Sequence, residues 1–326
     1  MRLLVIGGAG YIGSVVATRL LAAGHEVVVL DDLSTGHVDA VPAGALFVPG
    51  NLAATGQLER LLSGQVDAVL HFAARSLVGE STVHPELYWA NNVGGTQALL
   101  QAMLAAGVTR LVFSSSSATY GQPESVPITE EAPTRPTSPY GNTKLAADLM
   151  IGDLARAHGL NAVSLRYFNA AGALGGAGER HQPETHLIPN LLEVAAGRVG
   201  SVQVFGRDYP TSDGTCVRDY IHVDDLASAH LLALDATAGD ARSGRHRIYN
   251  LGNGQGFSVL EVIEAARRVT GRAIPLEDAP RRPGDPAILV ASGQRIREEL
   301  GWVPAHPGID QMVADAWEFT KSHPPA

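Results

Sequence analysis

The sequence has a single cysteine, Cys216, in 326 residues. That excludes an internal disulfide and any metal site built on several thiolates, and a free thiol suits a reducing compartment. Aromatic residues are scarce, at 6%, and charged ones make up 17% against 45% apolar. This balance describes a packed globular chain rather than a disordered one. Positive charge is in deficit: 24 Lys and Arg against 33 Asp and Glu leave a net −9. Non-specific binding to nucleic acid is disfavoured, so an anionic ligand has to be held by local arginines or helix termini. No apolar run approaches the length that crosses a membrane. The first such run, Leu3–Ile6, leads into a Gly-rich turn and reads as a core strand, not as a signal peptide. The expectation is a cytoplasmic protein with no membrane or nucleic-acid partner.

Glycine, by contrast, is plentiful, and it organises the N-terminus. Leu3–Ile6 runs into Gly7-Gly8-Ala9-Gly10-Tyr11-Ile12-Gly13, a strand, a turn and the start of a helix. Bare backbone in such a turn lets a diphosphate approach the helix N-terminus. Val15, Val16, Leu20 and Leu21 continue at helical spacing, and Gly24 closes the helix. A second strand, His25–Leu30, ends at Asp31-Asp32. A carboxylate there can accept hydrogen bonds from an adenosine ribose diol, and Asp31 favours NAD over NADP because its charge repels a 2′-phosphate.

Further strands are predicted at Ala45–Pro49, Val66–Phe72, Thr109–Ser115 and Asn161–Phe168, with helical patterns between them such as Thr96–Ala106 closed by Gly107. The alternation implies an α/β fold, a Rossmann-type doubly wound parallel sheet with helices on both faces. After Ala171 the pattern changes to a Gly-rich stretch, shorter elements and many prolines. Ser258-x-x-Glu261 is a capping box for a helix that runs to Gly271. Residues 1–171 are read as a nucleotide domain and 172–326 mainly as a smaller α/β domain for a second ligand. Part of 217–234 is apolar enough to return to the main sheet.

Two segments carry chemistry. In Ser138-Pro139-Tyr140-Gly141-Asn142-Thr143-Lys144, Ser138 suits an N-cap and Pro139 the first helical position. Tyr140 and Lys144 then lie one turn apart on one face. A phenol titrates near 10, and a neighbouring ammonium with a positive nicotinamide ring would stabilise its phenolate. The apolar run Leu111–Phe113 leads into four serines, Ser114 to Ser117, at the sheet edge where doubly wound folds place ligands. A hydroxyl there can relay a proton to Tyr140. His222-Val223-Asp224-Asp225 reads as capping and packing at a helix start, so no metal is expected.

With these segments in view, the chain resembles the extended short-chain dehydrogenase/reductases and, within them, the UDP-hexose 4-epimerases. The spacing Gly7-x-x-Gly10-x-x-Gly13 belongs to that superfamily, and matching stretches extend over nearly the whole length. They include HFAARSLVGES (His71 to Ser81), NNVGGT (Asn91 to Thr96), FSSSSATYG, SPYGNTK, RYFNAAGA (Arg166 to Ala173), FGRDYPTSDGTCVRDYIHVDDLA (Phe205 to Ala227) and RRPGD (Arg281 to Asp285). By position, the resemblance makes Ser116, Tyr140 and Lys144 the catalytic set. It places Gly7, Gly10, Tyr11, Ile12, Gly13, Asp31, Leu33, Ser34, Thr35, Gly36, Asn51, Leu52, Phe72, Ala73, Ala74, Asn92, Ser114 and Phe168, with Tyr140 and Lys144, against NAD. Ser116, Asn169, His186, Leu187, Phe205, Arg218, Tyr220, Arg282, Asp285 and Leu289 fall on the UDP-sugar side. Arg218 and Arg282 would grip a diphosphate, Phe205 would face uracil, and Asp285 would accept ribose hydroxyls.

The implied reaction is reversible C4 epimerisation of UDP-galactose and UDP-glucose through a 4-keto intermediate, with NAD kept bound, in a homodimer formed by the helices near Asn92–Ala106 and Tyr140–Ala157. Three positions depart from the family pattern. Asn51 replaces a common Asp, Ser76 stands where Lys occurs with Arg75 beside it, and His186 replaces a common Asn. A 4,6-dehydratase needs an Asp-Glu pair after the catalytic hydroxyl, where this chain has Ser117-Ala118. The resemblance also leaves room for an epimerase acting on UDP-sugar acids or UDP-N-acetylhexosamines, and the fold leaves room for a non-catalytic dinucleotide sensor. Leu289 falls at the family's C2-facing gate, where its apolar side chain would disfavour an acetamide.

Overall fold

The computed structural model describes residues 1–239, 244–282 and 284–323, so Pro283 of the RRPGD motif lies outside the described residues. In chain order the first strands are β1 (Arg2–Ile6), β2 (Glu26–Asp31), β3 (Leu46–Pro49), β4 (Ala68–His71), β5 (Arg110–Ser116) and β6 (Asn161–Tyr167). They are followed by β7 (Asn169–Ala171), β8 (Val202–Phe205), β9 (Val217–His222), β10 (His246–Leu251), β11 (Gly256–Ser258), β12 (Leu276–Ala279) and β13 (Ile288–Leu289). The large sheet is seven-stranded, in the order β10-β6-β5-β4-β1-β2-β3. All its pairs are parallel.

Strands buried on both faces need continuous apolar side chains rather than alternation. Leu3 to Ile6 of β1 and Ala68 to His71 of β4 are accordingly buried throughout. One core packs helices Tyr11–Ala22 and Val223–Ala236 on one face, and the other packs Thr55–Leu62, Gly95–Ala106 and Pro139–His158 on the opposite face. The expected doubly wound fold is therefore present. β1 has β2 on one side and β4 on the other, so the winding direction reverses there and opens a ligand crevice at the carboxyl ends.

Part of 217–234 does return to the large sheet, as helix Val223–Ala236 packed over it. β9 does not join the large sheet; Arg218 and Asp219 are poorly suited to a doubly buried strand, and β9 pairs with β11, β13 and β7 in a smaller sheet. The helix that follows, Val223–Ala236, lies against helix Tyr11–Ala22 and ties to it through the Arg19–Asp224 ion pair. The strand that does return is β10, added alongside β6 at the sheet edge. A third core, with Leu191, Leu192, Val204, Val262, Ile263 and Met312, holds the remaining helices around the smaller sheets.

Candidate active site

The residues expected against NAD begin at the carboxyl ends of β1, β2, β4 and β5. Gly7 has φ +79°, and a Cβ on it would sit 2.6 Å from Ala73 N. A Cβ at Gly13 would collide with Gly7 O. These two positions show why the turn is built of glycine: the ends of β1 and β4 approach through bare backbone. Helix Tyr11–Ala22 starts with no side-chain cap, leaving its first amides for a ligand.

Asp31 closes β2 and does more than the sequence suggested. Its carboxylate accepts hydrogen bonds from Ala9 N and Leu33 N, both at 2.9 Å, so it also pins the glycine turn. Burial pushes its pKa up from the ordinary value against the pull of those two bonds. Leu33 next to it holds φ +59°, a strained value for a side chain with a Cβ. Ser34 N donates to Asp32 at 2.9 Å, and Gly36 packs against Asp31, where a Cβ would lie 2.9 Å from Oδ1. Asn51 spends its side-chain oxygen on Ala53 N at 3.1 Å, and Leu52 is buried beside Gly95.

Asn92 sits in a π-helical turn, Trp89–Gly94, of the kind that often marks a functional site. Its oxygen accepts from Arg75 N at 2.8 Å and Asn91 Nδ2 at 3.0 Å. Its amide donates to Arg75 O and Thr143 Oγ1, both at 3.0 Å. With four bonds made, Asn92 has no polar group left for a direct cofactor contact and instead clamps the strand end after β4 to the helix bearing Lys144. Arg75 turns its guanidinium to Glu80 at 3.3 Å.

Helix Pro139–His158 starts as expected: Ser138 Oγ accepts from Gly141 N at 3.1 Å, with Pro139 in the first turn. Ser116 Oγ at the end of β5 accepts from Ala118 N at 3.1 Å and interacts with the Tyr140 hydroxyl. The Tyr140 ring meets Tyr88 edge-on at 6.4 Å. Tyr88 is itself fixed by hydrogen bonds to Leu77 O and Glu80, both at 2.7 Å. Lys144 Nζ donates to Ser114 O at 2.7 Å and lies 4.9 Å from the Phe113 ring centroid.

Burial raises the Tyr140 pKa, and the bond with Ser116 only moderates it. Burial likewise drives Lys144 down to about 8, with Asp148 opposing. In the protein alone burial opposes the Tyr140 phenolate; the expected lowering also draws on the positive nicotinamide ring. Asp148 is the residue that sequence reasoning missed. It accepts from Ser115 Oγ at 3.0 Å and from Arg166 Nε and Nη2 at 3.1 and 3.0 Å. Its place one turn beyond Lys144 was the available signal.

The second set gathers on the smaller sheet. In register, Asn169 faces Tyr220, while Arg218 faces Leu289 and Phe257. Side chains alternate along a strand, so these five share one face. Asn169 Nδ2 donates to Asp219 O at 2.9 Å. Leu289 packs against Tyr120, Ile128 and Phe168, which joins this face to the end of β6. Arg218 is paired with Asp285, and Arg282 lies 4.1 Å over the Phe205 ring. Tyr220 is 6% exposed and packs near Phe257, so it forms wall rather than free surface. His186 and Leu187 open helix Leu187–Ala195. Tyr11 ties the two sets together by donating to Gly172 O at 2.6 Å. His222 caps helix Val223–Ala236 by accepting from Asp224 N at 3.0 Å.

Comparison with known proteins gives this geometry a family. The profile of the NAD dependent epimerase/dehydratase family matches residues 3–252. A UDP-glucose 4-epimerase of Streptomyces lividans is 59% identical over 99% of this chain and 97% of its own. The structure of the Brucella ovis UDP-glucose 4-epimerase in complex with NAD is similar with TM-score 0.93 and 45% identity, covering 98% of both chains. The Bifidobacterium longum enzyme in complex with NAD+ and UDP is similar with TM-score 0.93 and 37% identity over 99% of both. With a profile match over most of its length and 59% identity to a relative over nearly all of it, the chain belongs to the NAD dependent epimerase/dehydratase family.

Proposed function

We propose that the chain interconverts UDP-galactose and UDP-glucose by inversion at C4, with Tyr140, Ser116 and Lys144 moving the proton. The observation that carries this reading is the meeting of that triad with a separate sheet face bearing Arg218, Asn169 and Leu289, because the reaction needs a reactive pole and a nucleotide grip. The glycine cradle, the uncapped helix start and Asp31 fit NAD, and Asp31 fits NAD better than its 2′-phosphorylated form. When bound there, NAD supplies the hydride acceptor and donor for C4 and a positive ring that favours the Tyr140 phenolate.

Tyr140 takes the 4-hydroxyl proton, with Ser116 in the path, and returns it when the 4-keto sugar has turned over. Lys144 orients by its bond to Ser114 O and adds positive charge. Asn92 acts through Arg75 and Thr143, keeping the wall after β4 and the Lys144 helix in register. Arg218 and Arg282 offer guanidinium groups to the diphosphate. For Arg282 this means leaving the Phe205 face, which frees that ring for uracil. Asp285 holds Arg218 and can accept ribose hydroxyls. The turn Ser117–Thr119 after Ser116 carries no acid–base pair, so loss of water as in a dehydratase is not supported.

Supplying UDP-galactose and coupling the product to UDP-glucose dehydrogenase tests the reaction. Tyr140→Phe should lower turnover by ~10²–10⁴-fold, with Ser116→Ala milder. Near-parental turnover of Tyr140→Phe would reject the mechanism. The finer reading includes a homodimer through the two helices named above. It is supported by Leu149, 62% exposed on the second of those helices, and by Trp89, 45% exposed in the turn before the first. Light scattering that gives a monomer at micromolar concentration overturns it.

A further inference from the structure

Beside the triad, one cluster of ligating side chains among the described residues has no role in proton or hydride transfer, although the resemblance places its His186 on the UDP-sugar side. It lies on the segment between β7 and helix Leu187–Ala195. The donor atoms of Glu179, His181 and His186 all lie within 4.8 Å of one another. His181 Nδ1 is 2.5 Å from Glu179 Oε1, and His186 Nδ1 is 3.8 Å from Glu179 Oε2. Glu184 lies beside them, with Oε1 2.8 Å from His186 Nδ1, and can add a fourth donor through its other oxygen. Tetrahedral ligands about 2.0–2.2 Å from a cation stand roughly 3.4 Å apart, so small side-chain rotations would complete the shell.

Two further observations point to a ligand. His181 Nδ1 is cut off from solvent and held against the Glu179 carboxylate, so two donors of unlike type already meet away from water. One oxygen of each carboxylate is also fixed by backbone amides. Glu184 Oε1 accepts from Thr185 N and His186 N at 2.7 Å, and Glu179 Oε1 accepts from His181 N at 3.3 Å. Such outer bonds orient metal ligands. Arg180, the only Lys or Arg between 179 and 186, is turned away to Asp39 at 2.8 Å. It therefore does not neutralise the acidic pair.

We propose that Glu179, His181, Glu184 and His186 form a binding site for one divalent cation of the zinc class. Mixed imidazole and carboxylate donors suit Zn²⁺, Co²⁺ or Ni²⁺, whereas Mg²⁺ and Ca²⁺ take oxygen ligands. Two carboxylates also balance the charge of one such ion. The cation takes no part in hydride or proton transfer. It staples the segment after Gly172, which Tyr11 contacts, to the start of helix Leu187–Ala195. In the sequence the metal question arose only at His222–Asp225, where His222 is occupied as a cap.

The test is calorimetric titration of chelator-treated full-length protein with ZnCl₂, beside visible spectra of the Co²⁺ form. Expected are one ion per chain with Kd below about 10 μM and the intense d–d bands of four-coordinate Co²⁺. Glu179→Gln and His181→Ala should each weaken binding by roughly tenfold or more, with NAD content and circular dichroism retained. Lack of saturable binding at about 100 μM free Zn²⁺, or equal affinity in both variants, overturns the site. If His181→Ala does not fold, the parent Co²⁺ spectrum still decides, since weak octahedral bands mean water-bound, adventitious ion only.

Discussion

Asp148→Asn is the most informative single change, because Asp148 supports both the fold and the Lys144 ammonium. The substitution keeps the shape and removes the charge. The Asp148 and Arg166 side chains are 2% and 4% exposed, so the guanidinium would be left buried without its counter-ion. Breaking a buried pair from one side typically costs about 3–5 kcal/mol. For a chain of this size that is roughly 2 °C per kcal/mol, so the melting temperature should fall by about 6–10 °C. Replacing both partners, Asp148→Leu with Arg166→Met, should recover most of the loss, since no charge is then stranded. Activity should change as well. Asp148 raises the Lys144 pKa against burial, which brings it to about 8. Removing the carboxylate charge lets Lys144 lose its proton at lower pH, so the alkaline limb of kcat should shift to the acid side. The assay is a melting curve by circular dichroism with a pH profile of the coupled reaction. A melting point within about 1 °C of the parent together with an unmoved alkaline limb would refute the reasoning.

Two further outcomes are expected. His71 and His230 are fully buried, and burial lowers their pKa values to about 3 and about 4. A depressed folded pKa means the unfolded chain gains protons first, so stability is complete above about 6.5 and is lost as pH falls. At pH 5 each histidine should cost about 2 kcal/mol relative to pH 7.5. His230→Gln should remove its share of that slope in urea titrations, every other group cancelling in the comparison, and an unchanged slope would contradict the buried neutral imidazole. Leu289 packs with Phe168 and faces Arg218, so Leu289→Tyr should leave UDP-galactose turnover largely intact. An acetamide left unpaired against the parent Leu289 should cost about 1–3 kcal/mol, roughly 5- to 150-fold in kcat/KM. An unchanged ratio between UDP-galactose and UDP-N-acetylgalactosamine in the variant would remove Leu289 from the sugar pocket.

Local devices were legible in the sequence because each is specified by neighbours in the chain. The glycine turn, the Ser138 cap with Pro139 and the Ser258–Glu261 capping box all depend on residues within one turn, and all three form as read. Helix Gly95–Ala106 ends at Gly107 in the left-handed region for the same reason. The family resemblance supplied positions, not states. It could not tell that Asn92 spends all its hydrogen bonds on protein, or that Arg282 rests on Phe205. Those depend on partners far away in the chain. Asp148 with Arg166, β10 beside β6, and Tyr11 against Gly172 likewise join segments that no periodicity connects. The Tyr140 shift in the protein alone is set by burial, which cannot be counted from spacing.

The return of β10 to the large sheet has a consequence for how the protein is made. Until β10 has left the ribosome, β6 is an open edge with unpaired backbone groups. Helix Tyr11–Ala22 also lacks its cover, Val223–Ala236. Translation proceeds at about 5–20 residues per second, so the nascent cofactor half waits several seconds for its last strand. During that interval the β6 edge and the apolar face of helix Tyr11–Ala22 stay uncovered, and a chain stopped after Ala171 would keep them so.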